Sequence, residues 1–278
     1  MRTMMITGAG HGMGQELARR AGGRGDRVFA TVLPGEDTDV LAAYPNVTLL
    51  TLDVGSDQSV ETTFDAIDRL LDGVPLDLII HCAGVSPSGA LEVESIASLE
   101  RVLNINTLGT ARILRKALPR LRGHGGRIVL FSSLWGKVAG PMLSAYCASK
   151  HAIEAIVDAT RRETHGQGLD IILIEPGVVR TNMVAGTVTG SRAGADALPA
   201  EHRAAYGDLY ERFARMIERE STGGVSVETA ADVIEGAAFA RRPKTRYRIG
   251  MDAKAVVGLS RLLPDRGFDA VFRSMLAR

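Results

Sequence analysis

The sequence predicts an α/β fold, a doubly wound parallel sheet of about seven strands with helices on both faces. Two observations predict it. Short runs rich in Val, Ile and Leu recur along the chain with helical patterns between them, and strands apolar on both faces belong to a parallel sheet covered on each side. The 278 residues and 45% hydrophobic content suffice for one sizeable core, so the expected organisation is a single domain, 1–278.

Strands are expected at MMIT, RVFATVL, VTLLTLDV, LDLIIHCAG, GRIVLFSS, LDIILIEPG and RYRIG. The first helix should run from Gly12 to Ala21 and stop at Gly22 and Gly23, because glycine ends helices. Ser56 is placed to cap a helix through Leu71, and Ser144 a helix carrying Tyr146 that ends near Gly166 or Gly168. The small-residue stretch 185–200 reads as mobile chain and precedes a charged helix, Glu201 to Glu220. Together they form an insertion at about 182–225 that breaks the β/α alternation, as a substrate lid would, with C-terminal helices expected at about 253–277.

Composition removes several function classes. A net charge of +1 gives no field toward nucleic acid, and no aromatic-plus-basic stretch offers a base-stacking surface. Cys82 and Cys147 are far apart, which argues against a disulfide framework or a thiolate metal site and for a reducing cytoplasm. The six histidines include no H-x-x-x-H pair with a carboxylate partner, so no metal is expected. The opening MRTMMITGAG carries no signal-peptide pattern and no run approaches a membrane span. Arg241, Arg242, Lys244, Arg246 and Arg248 form a basic cluster before the last strand; it reads as a solvated loop, with membrane contact the lesser expectation.

In a doubly wound sheet ligands bind outside the carboxyl ends of the strands, so residues just after strands carry the information. Gly8, Gly12 and Gly14 close the first strand in TGAGHGMG, flanking His11 and Met13. Such glycines either make a tight turn or let the backbone and the helix N-terminus approach a pyrophosphate. Asp53 and Val54 follow the third strand; the acid suits an adenine amine or simply the start of the next helix. Cys82, Ala83 and Gly84 end the fourth strand, small enough for a flat ligand to lie beside them. Ser133 ends the fifth. Asn106 sits inside a helical pattern, where asparagine is a poor helix former unless its side chain has local work. Tyr146 and Lys150, four apart, share one helix face, among Ala145, Ala148 and Ser149, too small to fill a core.

These motifs, TGAGHGMG, the Asp-Val after strand three, C-A-G, N-T-L-G, Ser133, Y-C-A-S-K and P-G-V-V-R-T at 176–181, resemble in order and spacing the short-chain dehydrogenase/reductases, with a further likeness to the branch holding retinol and hydroxysteroid dehydrogenases. The resemblance implies a Rossmann-type fold, an NAD(P)-dependent oxidoreductase interconverting a secondary alcohol and its ketone, and a homodimer or homotetramer. It implies that Tyr146 is the acid/base, that Lys150 lowers its pKa and holds the ribose hydroxyls, that Ser133 hydrogen-bonds the substrate oxygen, and that Asn106 holds a water linked to Lys150. It extends the cofactor site to Leu33, Pro176, Gly177, Val179 and Thr181, and places Val85, Leu134, Trp135, Val138, Met142, Val178 and Met183 around the substrate, which should be a small apolar alcohol or ketone, lipid-, steroid- or aromatic-like.

Cofactor choice is read at the end of the second strand. There Val32 and Leu33 precede Pro34, Gly35, Glu36 and Asp37, with no basic residue for a 2′-phosphate and two acids that would repel one if the loop folds back. NAD(H) is therefore favoured over NADP(H), with His11 the nearby group able to offset the acids. The alternatives are an NADPH-dependent carbonyl or ketoacyl reductase of a biosynthetic pathway and, from another class, a catalytically silent dinucleotide sensor.

Overall fold

The computed structural model describes residues 1–277. Seven strands, β1 (Thr3–Thr7), β2 (Arg27–Val32), β3 (Val47–Thr51), β4 (Leu78–His81), β5 (Gly126–Phe131), β6 (Leu169–Pro176) and β7 (Arg246–Ile249), form one sheet in the order β3-β2-β1-β4-β5-β6-β7. All neighbours pair in parallel. The chain direction across the sheet reverses between β1 and β4, and the strand ends open a crevice there.

Alternation along each strand supplies two cores. Met4 and Ile6 of β1 face one side with Leu17 of α1 (Gly12–Gly23) and Ile234 of α9 (Val227–Phe239). Met5 and Phe29 face the other with Phe64 of α3 (Asp57–Leu71), Ile113 of α5 (Gly109–Leu121) and Ile153 of α6 (Ser144–Glu163). Fully burying a side chain such as Phe29 or Phe64 contributes about 1.5–3 kcal/mol, so both faces of the sheet are sealed by matching helical stripes.

Several boundaries differ from the sequence expectation. Helix α1 runs through Gly22 and Gly23, because Gly22 is a contact residue: a Cβ there would stand 2.9 Å from the Tyr44 ring and from Val47. Ser144 lies inside α6 with Leu143 at the cap position, and its hydroxyl has no hydrogen-bond partner among the described residues. That helix ends at Glu163, ahead of the left-handed Gly166 and Gly168. Ser56 does cap α3, accepting from the Ser59 N–H at 3.2 Å.

Between β6 and β7 the chain forms α7 (Asn182–Asp196) and α8 (Ala200–Thr222). The stretch read as mobile is therefore mostly helix. Its small residues let α7 lie close to α8: a Cβ on Gly194 would meet the Tyr210 ring at 2.7 Å. After β7 follow α10 (Met251–Ser260) and α11 (Asp265–Ala277), the latter packed on α8. Ring stacking joins α11 to the turn after β5, Phe272 lying 5.9 Å from Trp135. Among the described residues no helix is long and apolar enough to cross a membrane.

Candidate active site

At the carboxyl edge of β1 the chain turns into α1 through Gly8 and Gly12, both in the left-handed region at φ +64 and +59, which a side chain would strain. Space forbids one as well: a Cβ on Gly8 would lie 2.8 Å from the Ala83 nitrogen, and one on Gly14 would lie 2.2 Å from the Gly8 carbonyl oxygen. The turn leaves the first N–H groups of α1 facing a groove, which suits an anionic pyrophosphate.

That groove is a cavity of about 210 Å³. Gly8, His11, Gly12, Met13, Gly14, Leu33, Asp53, Val54, Cys82, Ala83, Gly84 and Thr181 all line it. A second cavity of about 130 Å³ shares Met13, Cys82, Gly84, Val85, Thr181 and Met183 with it and adds Pro176, Gly177 and Val179. The two spaces adjoin through these shared residues, with Gly8, Gly12, Gly14 and Gly84 among their lining.

Ser133, Tyr146 and Lys150 all line the second cavity. Ser133 leaves β5 with extended backbone, and its hydroxyl donates to the Pro176 carbonyl at 3.3 Å. Helix α6 is entered through Met142, a non-glycine residue at φ +66 whose carbonyl accepts from the Gly89 N–H at 2.9 Å. One turn apart on α6, Lys150 Nζ lies 5.6 Å from the centre of the Tyr146 ring and donates to the Phe131 carbonyl at 2.9 Å.

The electrostatics depart from the expectation that Lys150 lowers the tyrosine. Enclosure pushes the Tyr146 phenol up to about 12, with the Ser133 hydroxyl working the other way. Burial lowers Lys150 to about 8, opposed by Cys82. At pH 7 the site therefore holds a neutral phenol beside a mostly protonated amine, desolvation being the largest cause for each. Burial raises the Cys82 thiol and keeps it neutral.

Asn106 lies in a π-helical turn, Leu103–Leu108, a local widening that accommodates a side chain with tertiary work. Its carboxamide accepts from the Val85 N–H at 2.9 Å and donates to the Val85 carbonyl at 2.9 Å and to Ser149 Oγ at 3.0 Å. The side chain thereby ties the segment after β4 to α6, and has no donor left for a water. Asp53 divides its role: it lines the groove while its Oδ1 accepts from the Gly55 N–H at 2.8 Å.

Of the residues expected around the substrate, Val85, Trp135, Val178 and Met183 line the second cavity. Leu134, Val138 and Met142 do not. Leu134 and Val138, one turn apart, pack on Ala253 of α10, and Met142 packs with Leu143 and Phe213. Sequence reasoning missed Thr187 and Ile217, which reach the cavity from α7 and α8, and Arg101, which lines the groove. Their positions depend on helix packing that no local motif announces.

Glu36 is the residue that closes the loop after β2. Gly35 at φ +83 turns the chain back, so that Glu36 Oε2 accepts from the Leu33 N–H at 2.9 Å. The carboxylate covers Gly10, where a Cβ would stand 2.2 Å from it. Among the described residues no cluster of three His, Cys, Asp or Glu side chains forms a metal site.

Residues 2–191 match the family model described as short chain dehydrogenase. The chain is 28% identical to the NADPH-dependent 3-dehydrocapnine reductase of Ornithobacterium rhinotracheale, over 98% of this chain and 96% of that protein. It is 30% identical to retinol dehydrogenase 16 of Homo sapiens, over 96% of this chain and 86% of that one. A short chain dehydrogenase/reductase from Burkholderia phymatum, solved in complex with NAD, superposes with a TM-score of 0.78 at 22% identity, covering 94% and 93% of the two chains. The glycine-lined groove, the seven-stranded parallel sheet and the family match together establish that this chain belongs to the short-chain dehydrogenases, as an NAD(P)-dependent oxidoreductase acting on CH–OH groups.

Proposed function

We propose that the enzyme interconverts an apolar secondary alcohol, lipid-, steroid- or aromatic-like, and its ketone, using NAD(H) in preference to NADP(H). One observation carries the reading: Ser133, Tyr146 and Lys150 meet in a cavity whose other walls include the apolar residues Val85, Trp135, Val178 and Ile217, with the uncharged Ser86 and Thr187 beside them. Among the described residues no Asp, Glu or Arg lines that cavity, so an uncharged substrate fits it, since an unpaired charge would be costly there.

The nicotinamide, when bound, supplies or accepts the hydride. The protein's own part is proton management and placement. In reduction Tyr146, a neutral phenol at pH 7, donates its proton to the developing alkoxide; in oxidation it must first lose that proton. Ser133 holds the substrate oxygen within reach of the phenol. The Lys150 ammonium stabilises the phenolate whenever it forms and holds the ribose. Asn106 acts through placement, pinning Val85 and Ser149 on either side of the site.

The preference for NAD(H) rests on the Glu36 carboxylate, which lines the adenosine end of the groove and would repel a 2′-phosphate. Arg101 on the same groove supports a second reading, an NADPH-dependent carbonyl reductase, as does the likeness to the NADPH-dependent 3-dehydrocapnine reductase. We further read α7 and α8 as the substrate lid of a single domain and the working form as a homodimer or homotetramer. A reducing cytoplasm suits the two free cysteines.

Titration calorimetry with NADH and NADPH, followed by turnover of neutral secondary alcohols, tests the reading. Tighter NADH and oxidation of apolar alcohols support it; tighter NADPH with ketone reduction selects the second reading. A dinucleotide bound without turnover of any alcohol or ketone would point to a sensor, and no binding at all would remove both.

A further inference from the structure

Glu175 is a carboxylate with no solvent exposure, one residue before Pro176 at the end of β6. An apolar residue would suit such a position better unless the charge is matched and has work to do. It is matched by three cations from two elements, β7 and the turn after β5. Arg248 Nε donates to Glu175 Oε2 at 2.8 Å, and Arg246 Nε stands 3.1 Å from Oε1, both from the paired strand β7. Lys137 Nζ stands 3.6 Å from Oε1 and contacts the carboxylate of Glu154 on α6. Arg246 also bonds Glu154 at 2.9 Å and Asp158 at 2.7 Å, and Arg161 and Arg162 approach Asp158 from the surface.

Three of the elements joined by this cluster, the turn after β5, α6 and the end of β6, carry parts of the site. Lys137 is four residues beyond Ser133. Glu154 lies one turn beyond Lys150, on the same stripe of α6 as Tyr146. Pro176, next to Glu175, supplies the carbonyl that accepts from the Ser133 hydroxyl. The serine turn also lies hard against α6: a Cβ on Gly136 would stand 2.3 Å from Ser132 Oγ and 3.1 Å from the Lys150 carbonyl oxygen. A small slip of this turn therefore shifts Ser133 relative to Tyr146.

We propose that Lys137, Glu154, Glu175, Arg246 and Arg248 form a positioning device that holds the Ser133 turn in register with the Tyr146–Lys150 helix, Lys137 being its link to the serine. The proposal rests on the catalytic roles given above. Removing one partner leaves a buried charge uncompensated and frees the turn to move, whereas the glycine-lined groove lies on other elements and keeps its shape.

Lys137→Met and Lys137→Arg test it, with 1-phenylethanol and NAD⁺ as the turnover probe, NADH titration, and amide hydrogen exchange. In Lys137→Met, kcat should fall at least about tenfold with the NADH affinity within about threefold, since misplacement of one group by a fraction of an ångström is costly. Lys137→Arg should restore most of kcat. Exchange should quicken about fivefold or more in residues 133–138 and stay unchanged in 8–14. Unchanged kcat, an arginine variant as impaired as the methionine one, or exchange rising evenly over the chain would each overturn the device. If the wild type binds no dinucleotide, the functional reading fails, and the local exchange difference alone decides whether the cluster holds the turn.

Discussion

His11 Nε2 stands 3.7 Å from Glu36 Oε1, so the glycine-rich turn after β1 and the loop after β2 close on one another at the adenosine end of the groove. The contact brings the acid and the single group expected to offset it to the same place. Glu36 keeps a second anchor in the Leu33 N–H, which holds the carboxylate over the groove whether or not His11 is charged.

Neutralising that acid should relax cofactor choice. Glu36→Gln retains a hydrogen-bonding side chain and removes the charge, and should tighten NADPH by about tenfold, ~1.4 kcal/mol, while NADH changes little. Parallel titrations of wild type and variant read the ratio directly. An unchanged ratio would shift the discrimination away from Glu36 and toward Arg101.

The tyrosine and lysine should separate by pH. Lys150, lowered to about 8 by burial, carries its charge below that pH and loses it above, so ketone reduction should be flat near neutrality and decline above about pH 8. Lys150→Arg, always charged, should abolish that decline at a lower plateau. Tyr146→Phe should bind NADH as the wild type does and lose roughly 10²-fold or more in turnover. Reduction that holds level to pH 10 in the wild type would refute the lysine assignment.

His81 predicts an acid weakness of the fold. Its Nδ1 lies 2.7 Å from Thr7 Oγ1, and burial, with Lys150 nearby, pulls its pKa from 6.5 down to about 3. Below pH 6.5 the unfolded chain takes up this proton and the folded chain does not, so stability is intact above 6.5 and falls as pH drops toward 3. By pH 5 the loss should reach roughly 2 kcal/mol. Urea midpoints at pH 7 and pH 5 should differ less in His81→Gln than in the wild type; equal differences would place the acid sensitivity elsewhere.

The division between wall and core should show in two truncations. Leu134, 4% exposed and packed on Ala253, should cost about 2–5 kcal/mol of stability when cut to alanine. Met183→Ala, on the cavity wall, should mainly raise KM for apolar substrates. Thermal melts beside KM values distinguish them, and the reverse pattern would put Leu134 in the pocket.

Much of this architecture was readable in the chain because strand burial on both faces and glycine spacing are local signals. All seven apolar runs are strands, and the expected cofactor residues line the two joined cavities. What escaped is set by distant partners. Gly22 reads as a helix stop until Tyr44 is seen against it, and Asn106 reads as a side chain with local work, but its position in the chain does not name Val85 and Ser149 as the partners. Leu134 and Val138 follow the serine as pocket residues would, yet the side they face is decided by α10, more than a hundred residues later. The tyrosine's elevated pKa was missed for the same reason, since enclosure is a property of the whole fold.

The stacking of Trp135 on Phe272 ties a cavity wall to a helix at the far end of the chain. Gly140 also lies close against the indole, where a Cβ would stand 2.5 Å from the ring. Phe272 follows every strand of the sheet in sequence, so the second support of the indole comes from α11, far along the chain from it. Full support of this wall therefore depends on closing a long stretch of chain, which costs more loop-closure entropy than the pairing of neighbouring strands.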